Sequence, residues 1–355
     1  MARKGRLNAL DDYPGLFDEV EGRVAPSSRQ PLPTHPDIEG YARKVRLAGG
    51  ISRQEWNSAD MPLGPIVVKP VPNKIMFMSF GSGSSGNCSY IGDSKSGFLI
   101  DAGVDPKKVA EGLAAYNIPM ESVRGICVTH DHSDHMRFAY ALLKKYRHMA
   151  FYCTPRALNG MLRRHNVSRR LKDYQVNIYK EIPFTIDNFT VTAFEVMHDG
   201  TDNVGFYVEH DDRAFAIATD LGCISERVDH YMRRADYLMI ESNYDLNMLR
   251  FGPYPEYLKA RIQNVNGHLD NKVTARYLAD IYTERLRYVF LCHLSHDNNT
   301  PETALAESRS SLESRGLRVG SGSNAPSDAG CHIQLVALPR FECSPLYIFR
   351  PAKID

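Results

Sequence analysis

Long apolar runs are missing from this 355-residue chain, and so is any excess of charge of one sign. No uninterrupted hydrophobic segment reaches the roughly 18 to 20 residues that a membrane-spanning helix needs. Forty-three Lys and Arg residues face 42 Asp and Glu, for a formal charge of +1, so nothing global announces a polyanionic or membrane partner. Seven cysteines (Cys88, Cys127, Cys153, Cys223, Cys292, Cys331, Cys343) are scattered, odd in number and never spaced CxxC. That pattern argues against a disulfide framework and against a cysteine-only zinc site. The opening "MARKGRLNALDDYPGLF" starts basic but has no apolar stretch after it, so it does not read as a secretory signal. A reducing cytoplasm is the expected address. A hydrophobic content of 43% and a charged content of 24% are ordinary globular values.

The composition changes near residue 73. Before it, "APSSRQPLPTHP" and "MPLGPIVVKPVP" are rich in proline, which removes a backbone donor and biases its predecessor toward extended geometry. Residues 1–72 are expected to form an arm, partly extended or disordered, with one short helix in "DIEGYARKVRLAGG". Residues 73–355 are expected to form the folded domain. There "KIMFMSFG", "SGFLIDAG", "RGICVTH" and "MAFYCT" read as short apolar strands. "PKKVAEGLAAYN", "DHMRFAYALLKKYRH" and "PRALNGMLRRH" carry apolar residues at helical spacing. A strand-rich stretch runs from "YQVNIYK" to "RAFAIATD". Then "DYLMIES", "RYVFLCHLS" and "HIQLVAL" alternate as strands with the helices "KVTARYLADIYTERL" and "PETALAESRSSLESR". The class is α/β: two strand-rich halves, packed face to face with helices outside. Residues 319–331 read as a loop.

The densest chemistry is "VTHDHSDH", residues 128–135, with three histidines and two aspartates from His130 onward. It follows an apolar strand and precedes an amphipathic helix, a junction where a rigid strand presents loop side chains. A solvated surface loop is one reading. Three crowded imidazoles gain little from one another, however, whereas a divalent cation needs several of them converging. A metal site should recruit distant ligands, and three further strand ends supply candidates: His198 in "EVMHDG", Asp220 in "IATDLG" and His293 in "VFLCHLS". Asp131, between the first two histidines, reads as a solvated turn residue.

The order HxHxDH, His, Asp, His resembles the metallo-β-lactamase fold superfamily over residues 74–350. The resemblance implies a four-layer αβ/βα sandwich. It also implies two divalent ions, Zn or Mn with Fe open. His130, His132 and His198 would hold one, Asp134, His135 and His293 the other, and Asp220 would bridge. Such a pair sits about 3.5 to 4 Å apart and presents a bridging hydroxide. The redox branch usually has Glu where His132 stands, which disfavours a redox di-iron centre. "ESNYDLNML" followed by "NGHLDNKVTARYLAD" resembles phosphodiesterase members such as tRNase Z. By that resemblance His268 donates a proton to the leaving oxygen, Glu241 orients or charges His268, and Asp134 orients or deprotonates the attacking water.

"FGSGSSGNCSYIGD", "FLIDAG", "VTHDHSDH", "ESNYD", "GPYPEYLKARI", "GHLDN" and "CHLSHDNNTPE" are similar in order to the WalJ/YycJ-like branch. Tyr244 stands where that branch usually has His, and Asp270 where it has Ser. The implied activity is a DNA exonuclease working from a 5′ end by hydroxide attack on phosphorus, with DNA as partner and no membrane. A thioester or amide hydrolase of glyoxalase or lactamase type is the alternative, and a non-catalytic module on an inherited fold is a third. In "GSGSSGN", Ser84, Ser85 and Asn87 make either a phosphate cradle or a tight hairpin turn. Asn298 and Asn299 either orient the site or form a turn. Residues 163–172, "RRHNVSRRLK", either track phosphates or end a solvated helix.

Overall fold

The computed structural model describes residues 74–323 and 328–350. The N-terminal arm of residues 1–72, with its expected helix, lies outside the described residues, as do residues 324–327 of the 319–331 loop.

Short apolar segments pair into two sheets. β1 (Ile75–Gly81), β2 (Cys88–Gly92), β3 (Gly97–Ile100), β4 (Val123–Cys127), β5 (Ala150–Cys153) and β6 (Gln175–Asn177) form the first. The second contains β7 (Phe184–Ile186), β8 (Phe189–Glu195), β9 (Val204–His210), β10 (Arg213–Ala218), β11 (Tyr237–Glu241), β12 (Tyr288–Cys292), β13 (Val319–Gly320) and β14 (Ile333–Ala337). The last strand, β15 (Tyr347–Phe349), returns to the first sheet and pairs antiparallel with β1. The two sheets follow one plan. β1–β2–β3 and β7–β8–β9–β10 are antiparallel meanders, and each continues into parallel strands, β3–β4–β5–β6 and β10–β11–β12–β14–β13.

Side-chain alternation shows why the layers stack. On β10, Phe215 and Ile217 point between the sheets, while Ala214, Ala216 and Ala218 face the outer helices. Both faces are therefore covered, as parallel strands require. The first sheet is covered by α1 (Pro106–Ala114), α2 (Ser133–Met136), α3 (Ala139–Lys145) and α4 (Pro155–Arg164). The second is covered by α5 (Glu226–Met232), with α6 (Leu246–Phe251) and α7 (Glu256–Ile262) forming a small satellite core around Leu249 and Ile262. α8 (Asn271–Ile281) and α9 (Pro301–Glu313) complete that layer. The four-layer αβ/βα sandwich is as expected.

Val319–Gly320 forms β13 where a loop was expected, and β15, α6 and α7 were not anticipated. Other details also differ from the pattern reading. The helix expected over "DHMRFAYALLKKYRH" is broken between α2 and α3, because Phe138 N–H donates to the Ala102 carbonyl (2.9 Å) and the His135 carbonyl accepts from Ala102 N–H (2.6 Å). Those bonds tie the segment to the Asp101–Ala102–Gly103 loop at the expense of helical continuity. α8 stops at Ile281 instead of running through "TERL". α5 was unanticipated, although Ser225 caps it by accepting from Val228 N–H.

Between the sheets Phe77 packs against Phe215 and Phe290, with ring centroids 4.9 and 4.6 Å away, and is fully buried. Phe77→Ala should therefore cost about 3–5 kcal/mol of stability, read as a lower urea midpoint at unchanged slope.

Candidate metal centre

Parallel strands of both sheets end at one edge, and their last residues converge there. Asp101 follows β3, His130 follows β4, Asp220 follows β10, Glu241 ends β11 and His293 follows β12. Three of these adopt left-handed backbone angles, with φ of 62° at Asp101, 45° at Asp220 and 53° at His293. Such angles are strained for residues with a β-carbon and persist only where surrounding structure holds them. At His293, its N–H donates to Ser82 Oγ (2.9 Å) and its carbonyl accepts from Asn243 Nδ2 (2.7 Å). The loop carrying His198 is fixed by Asn203, whose Nδ2 donates to the His198 carbonyl at 2.7 Å.

The seven residues expected as ligands come together. His130, His132 and His198 present nitrogens within 4.8 Å of one another, and so do the ligand-type atoms of Asp134, His135 and His293. Asp220 groups with His130 and His135 on one side and with His293, Glu241 and His268 on another, which puts it between the two triads. Hydrogen bonds set which nitrogen is free. His198 Nδ1 donates to the Gly267 carbonyl (3.0 Å), His135 Nδ1 to Asp101 Oδ2 (2.7 Å), and His293 Nδ1 to Glu241 Oε1 (2.9 Å). Thr129 Oγ1 gives its proton to Asp101 and therefore accepts from His130 Nδ1 at 3.0 Å. In each case Nδ1 is committed and Nε2 is the nitrogen turned into the basin, the arrangement that orients metal-binding imidazoles.

Two observations test whether these residues suit a cation. His130 Nε2 and His293 Nε2 are buried with no hydrogen-bond partner, a cost of about 1–3 kcal/mol each unless something else satisfies them. His198 Nε2, whose proton sits on the opposite nitrogen, lies 3.3 Å from His132 Nδ1. A shared cation reconciles both. The donor set is nitrogen and oxygen without thiolate, which suits Zn²⁺, Mn²⁺ or Fe.

Electrostatics divide the site. Burial pushes the His130 imidazole well below its usual range, and His135 adds to the effect. His132 is lowered to about 4 by burial and by His198. Opposite them, burial also disfavours charge on His293, but Asp220, Asp134 and Glu241 outweigh it and push the imidazole to about 10. His135 is likewise raised against its burial by Asp220, Asp101 and Asp134. Asp220 is held well below the carboxylate range, despite complete burial, by His293 and His135. The centre is a basin of buried acid that requires positive charge.

Glu241 is fully buried. Its Oε2 accepts from the backbone N–H of Leu221 (2.8 Å) and Leu269 (3.1 Å), while Oε1 lies 2.8 Å from His268 Nδ1. Burial lowers the His268 imidazole, but Glu241 and Asp220 raise it further, so the net shift is upward. His268 lines an open cleft with His198, Asp199 and His293, walled by Tyr254 and Arg261 from the α6–α7 region.

The remaining sequence candidates separate. Asn87 lies at the centre, with Nδ2 2.9 Å from His135 Nε2 and Oδ1 accepting from Gly83 N–H. Ser84 is exposed on the cleft rim and Ser85 is exposed on the far side of the glycine turn. That turn joins β1 to β2 as a hairpin. Asp131 is not solvated as expected. It is completely buried and accepts from Thr201 N–H (2.8 Å) and Oγ1 (2.5 Å), locking the His130–His132 loop to the His198 loop. In the basic run, Arg164 lies 3.7 Å from Asp131 and Arg170 pairs with Asp173. Asp270 caps α8, and Tyr244 bridges to it on the scaffold behind the site. Asn299 Nδ2 donates to the Ser242 and Asn243 carbonyls (2.8 and 2.9 Å), bracing the loop after β11.

Sequence reasoning missed Asp101, Thr129, Asn243 and Asp199. "FLIDAG" carried Asp101 in view without its role, since nothing local says that its carboxylate reaches His135. Asp199 accepts from Arg261 Nε at 2.7 Å while its Oδ1 approaches His132 Nε2 at 3.4 Å.

Residues 97–293 match the profile of the beta-lactamase superfamily domain. Exodeoxyribonuclease YycJ of Bacillus anthracis is 32% identical over 244 residues, covering 69% of this chain and 91% of that protein. Exodeoxyribonuclease WalJ of Streptococcus pneumoniae is 33% identical over 240 residues, covering 67% and 88%. Among solved structures, the metallo-beta-lactamase fold protein YhfI from Bacillus subtilis aligns with a TM-score of 0.56 at 12% identity, over 77% of this chain and 99% of that one.

Removing the shared carboxylate, Asp220→Ala, should reduce the number of ions retained per chain. Asp101→Asn, which loosens His135 without removing a ligand, should weaken metal affinity about 10- to 100-fold. Elemental analysis and chelator competition measure the two effects.

Proposed function

This chain belongs to the beta-lactamase superfamily, and from that membership we propose that it is a metal-dependent phosphodiesterase, a DNA exonuclease working from a 5′ end. Its similarity to two proteins named exodeoxyribonucleases, over most of their lengths, supports a nucleic-acid substrate. The observation that carries the reading is the Glu241–His268 pair beside the cation basin, with its 2.8 Å contact.

In this proposal His130, His132 and His198 would hold one divalent ion, Asp134, His135 and His293 would hold a second, and Asp220 would serve both. Bound there, the ions supply Lewis acidity toward phosphate oxygens and make water a competent nucleophile at neutral pH. Asp134 orients that water or takes its proton. Burial disfavours its anion, but His135 and His293 hold the carboxyl low, so it stands ionised and can accept a hydrogen bond from the water. Glu241 fixes the proton of His268 on Nδ1 and favours the cationic imidazole, leaving Nε2 free to protonate the departing sugar oxygen. Phosphoryl transfer depends on this kind of positioning and charge neutralisation. Carboxylic-ester chemistry has no evident use for the second proton donor, so the thioester or amide hydrolase is the less favoured reading.

Protein loaded with Mn²⁺ or Zn²⁺ should degrade 5′-labelled DNA with early release of labelled mononucleotide, and should hydrolyse bis(p-nitrophenyl) phosphate. Turnover of a thioester alone would sink the proposal. His268→Ala should keep its ions yet lose about 10²- to 10⁴-fold in DNA cleavage. Near-normal cleavage by that variant would remove His268 from its role.

A further inference from the structure

A second, open concavity lies on the other side of the glycine turn from the cleft. Among the described residues lining it, Lys108, Arg137 and Arg340 are cationic and Asp105 is the single acid. Asp105 is already engaged, accepting from Lys107 N–H as the cap of α1. The three cations come from separate parts of the chain: α1, the α2–α3 junction and the segment after β14. Each is tethered by backbone. Lys108 Nζ donates to the Phe341 carbonyl, Arg137 Nε to the Gly103 carbonyl (3.0 Å), and Arg340 Nη1 to the Leu294 carbonyl (2.8 Å). Tethering of this kind positions the charges in advance and leaves further guanidinium and ammonium protons free for a ligand.

An aromatic accompanies them. Phe341 is 57% exposed, borders the same groove and lies under the Arg340 guanidinium, 5.5 Å from its ring centroid. The groove also adjoins the first cleft across one turn of chain. Arg340 Nη2 donates to Ser84 Oγ at 2.6 Å, Ser84 lines the cleft, and the Leu294 carbonyl held by Arg340 follows His293 directly. The turn "GSGSSGN" is the ridge between the two concavities.

We infer that this groove binds the substrate strand next to the nucleotide being cleaved, with Lys108, Arg137 and Arg340 on its phosphates and Phe341 stacked on a base. The inference rests on the phosphodiesterase reading above and adds where the polymer runs. Cations tracking a backbone beside a stacking ring are the elements of single-strand recognition. The strand must be unpaired at this point, because base faces inside a duplex are already covered by their neighbours. The basic run at residues 163–172 is the weaker candidate, since Arg164 lies against buried Asp131 and Arg170 pairs with Asp173.

The test uses the full chain loaded with Mn²⁺ and two substrates, a single-stranded oligodeoxynucleotide and bis(p-nitrophenyl) phosphate. Neither Lys108 nor Phe341 borders the metal centre, so Lys108→Gln and Phe341→Ala separate the groove from the chemistry. Each should raise KM for the oligonucleotide about tenfold, and Lys108→Gln should flatten the salt dependence of binding by about 0.7 in log–log slope. Turnover of the small diester, too short to leave the cleft, should stay within about twofold of the unsubstituted protein. An unchanged oligonucleotide KM, or equal losses on both substrates, overturns the groove. Failure of the unsubstituted protein to cleave either substrate overturns the phosphodiesterase reading instead.

Discussion

Asp101, Asp134, Asp220 and Glu241 gather their carboxylates at the junction of the two sheets, and three of the four are almost wholly buried. Removing that much negative charge from water is unfavourable unless positive charge accompanies it. Most of the site follows from that demand. Buried acid drives His135 and His293 toward the cationic form, while burial and the neighbouring imidazoles hold His130 and His132 below their usual range. A set of donors split in this way is matched by divalent ions, which supply charge to the carboxylates and coordination to the neutral nitrogens together.

The scaffold contributes rigidity more than chemistry. Asp220, Glu241 and His293 stand at the ends of strands buried on both faces, so their backbone is fixed by the core, while Asp134 and His135 sit on the short helix α2. The left-handed angles at Asp101, Asp220 and His293 are sustained by that packing and turn the side chains inward. Outer partners finish the job. Asp101 orients His135, the Gly267 carbonyl orients His198, and Asp131 clamps one ligand loop to the other. Glycine is required where these loops meet: a β-carbon on Gly103 would stand 1.6 Å from the Asp134 carbonyl oxygen. Around this fixed centre, α6 and α7 wall the cleft and the glycine turn divides it from the basic groove.

How much of this could be read in advance depended on whether the signal was local. "VTHDHSDH" places four ligand-type residues within six positions, and the later His198, Asp220 and His293 each follow an apolar strand, so their convergence could be anticipated. The Glu241–His268 contact was anticipated from a resemblance and not from spacing. Asp131 shows the limit. From sequence it is a polar residue in a polar turn, yet Thr201, 70 positions away, encloses it completely. The break between α2 and α3 is similar, because helical periodicity carries no sign that Ala102 will claim the backbone bonds.

The sequence alone thus determined most of the strands and helices and the chemical types at the strand ends, because hydrophobic period and residue identity are local properties of the chain. Only the tertiary structure decided which histidine nitrogen is free, which carboxylate orients which imidazole, and that Lys108, Arg137, Arg340 and Phe341 share one groove. Those relations depend on the distances between atoms far apart along the chain, and only the packing of the two sheets sets them.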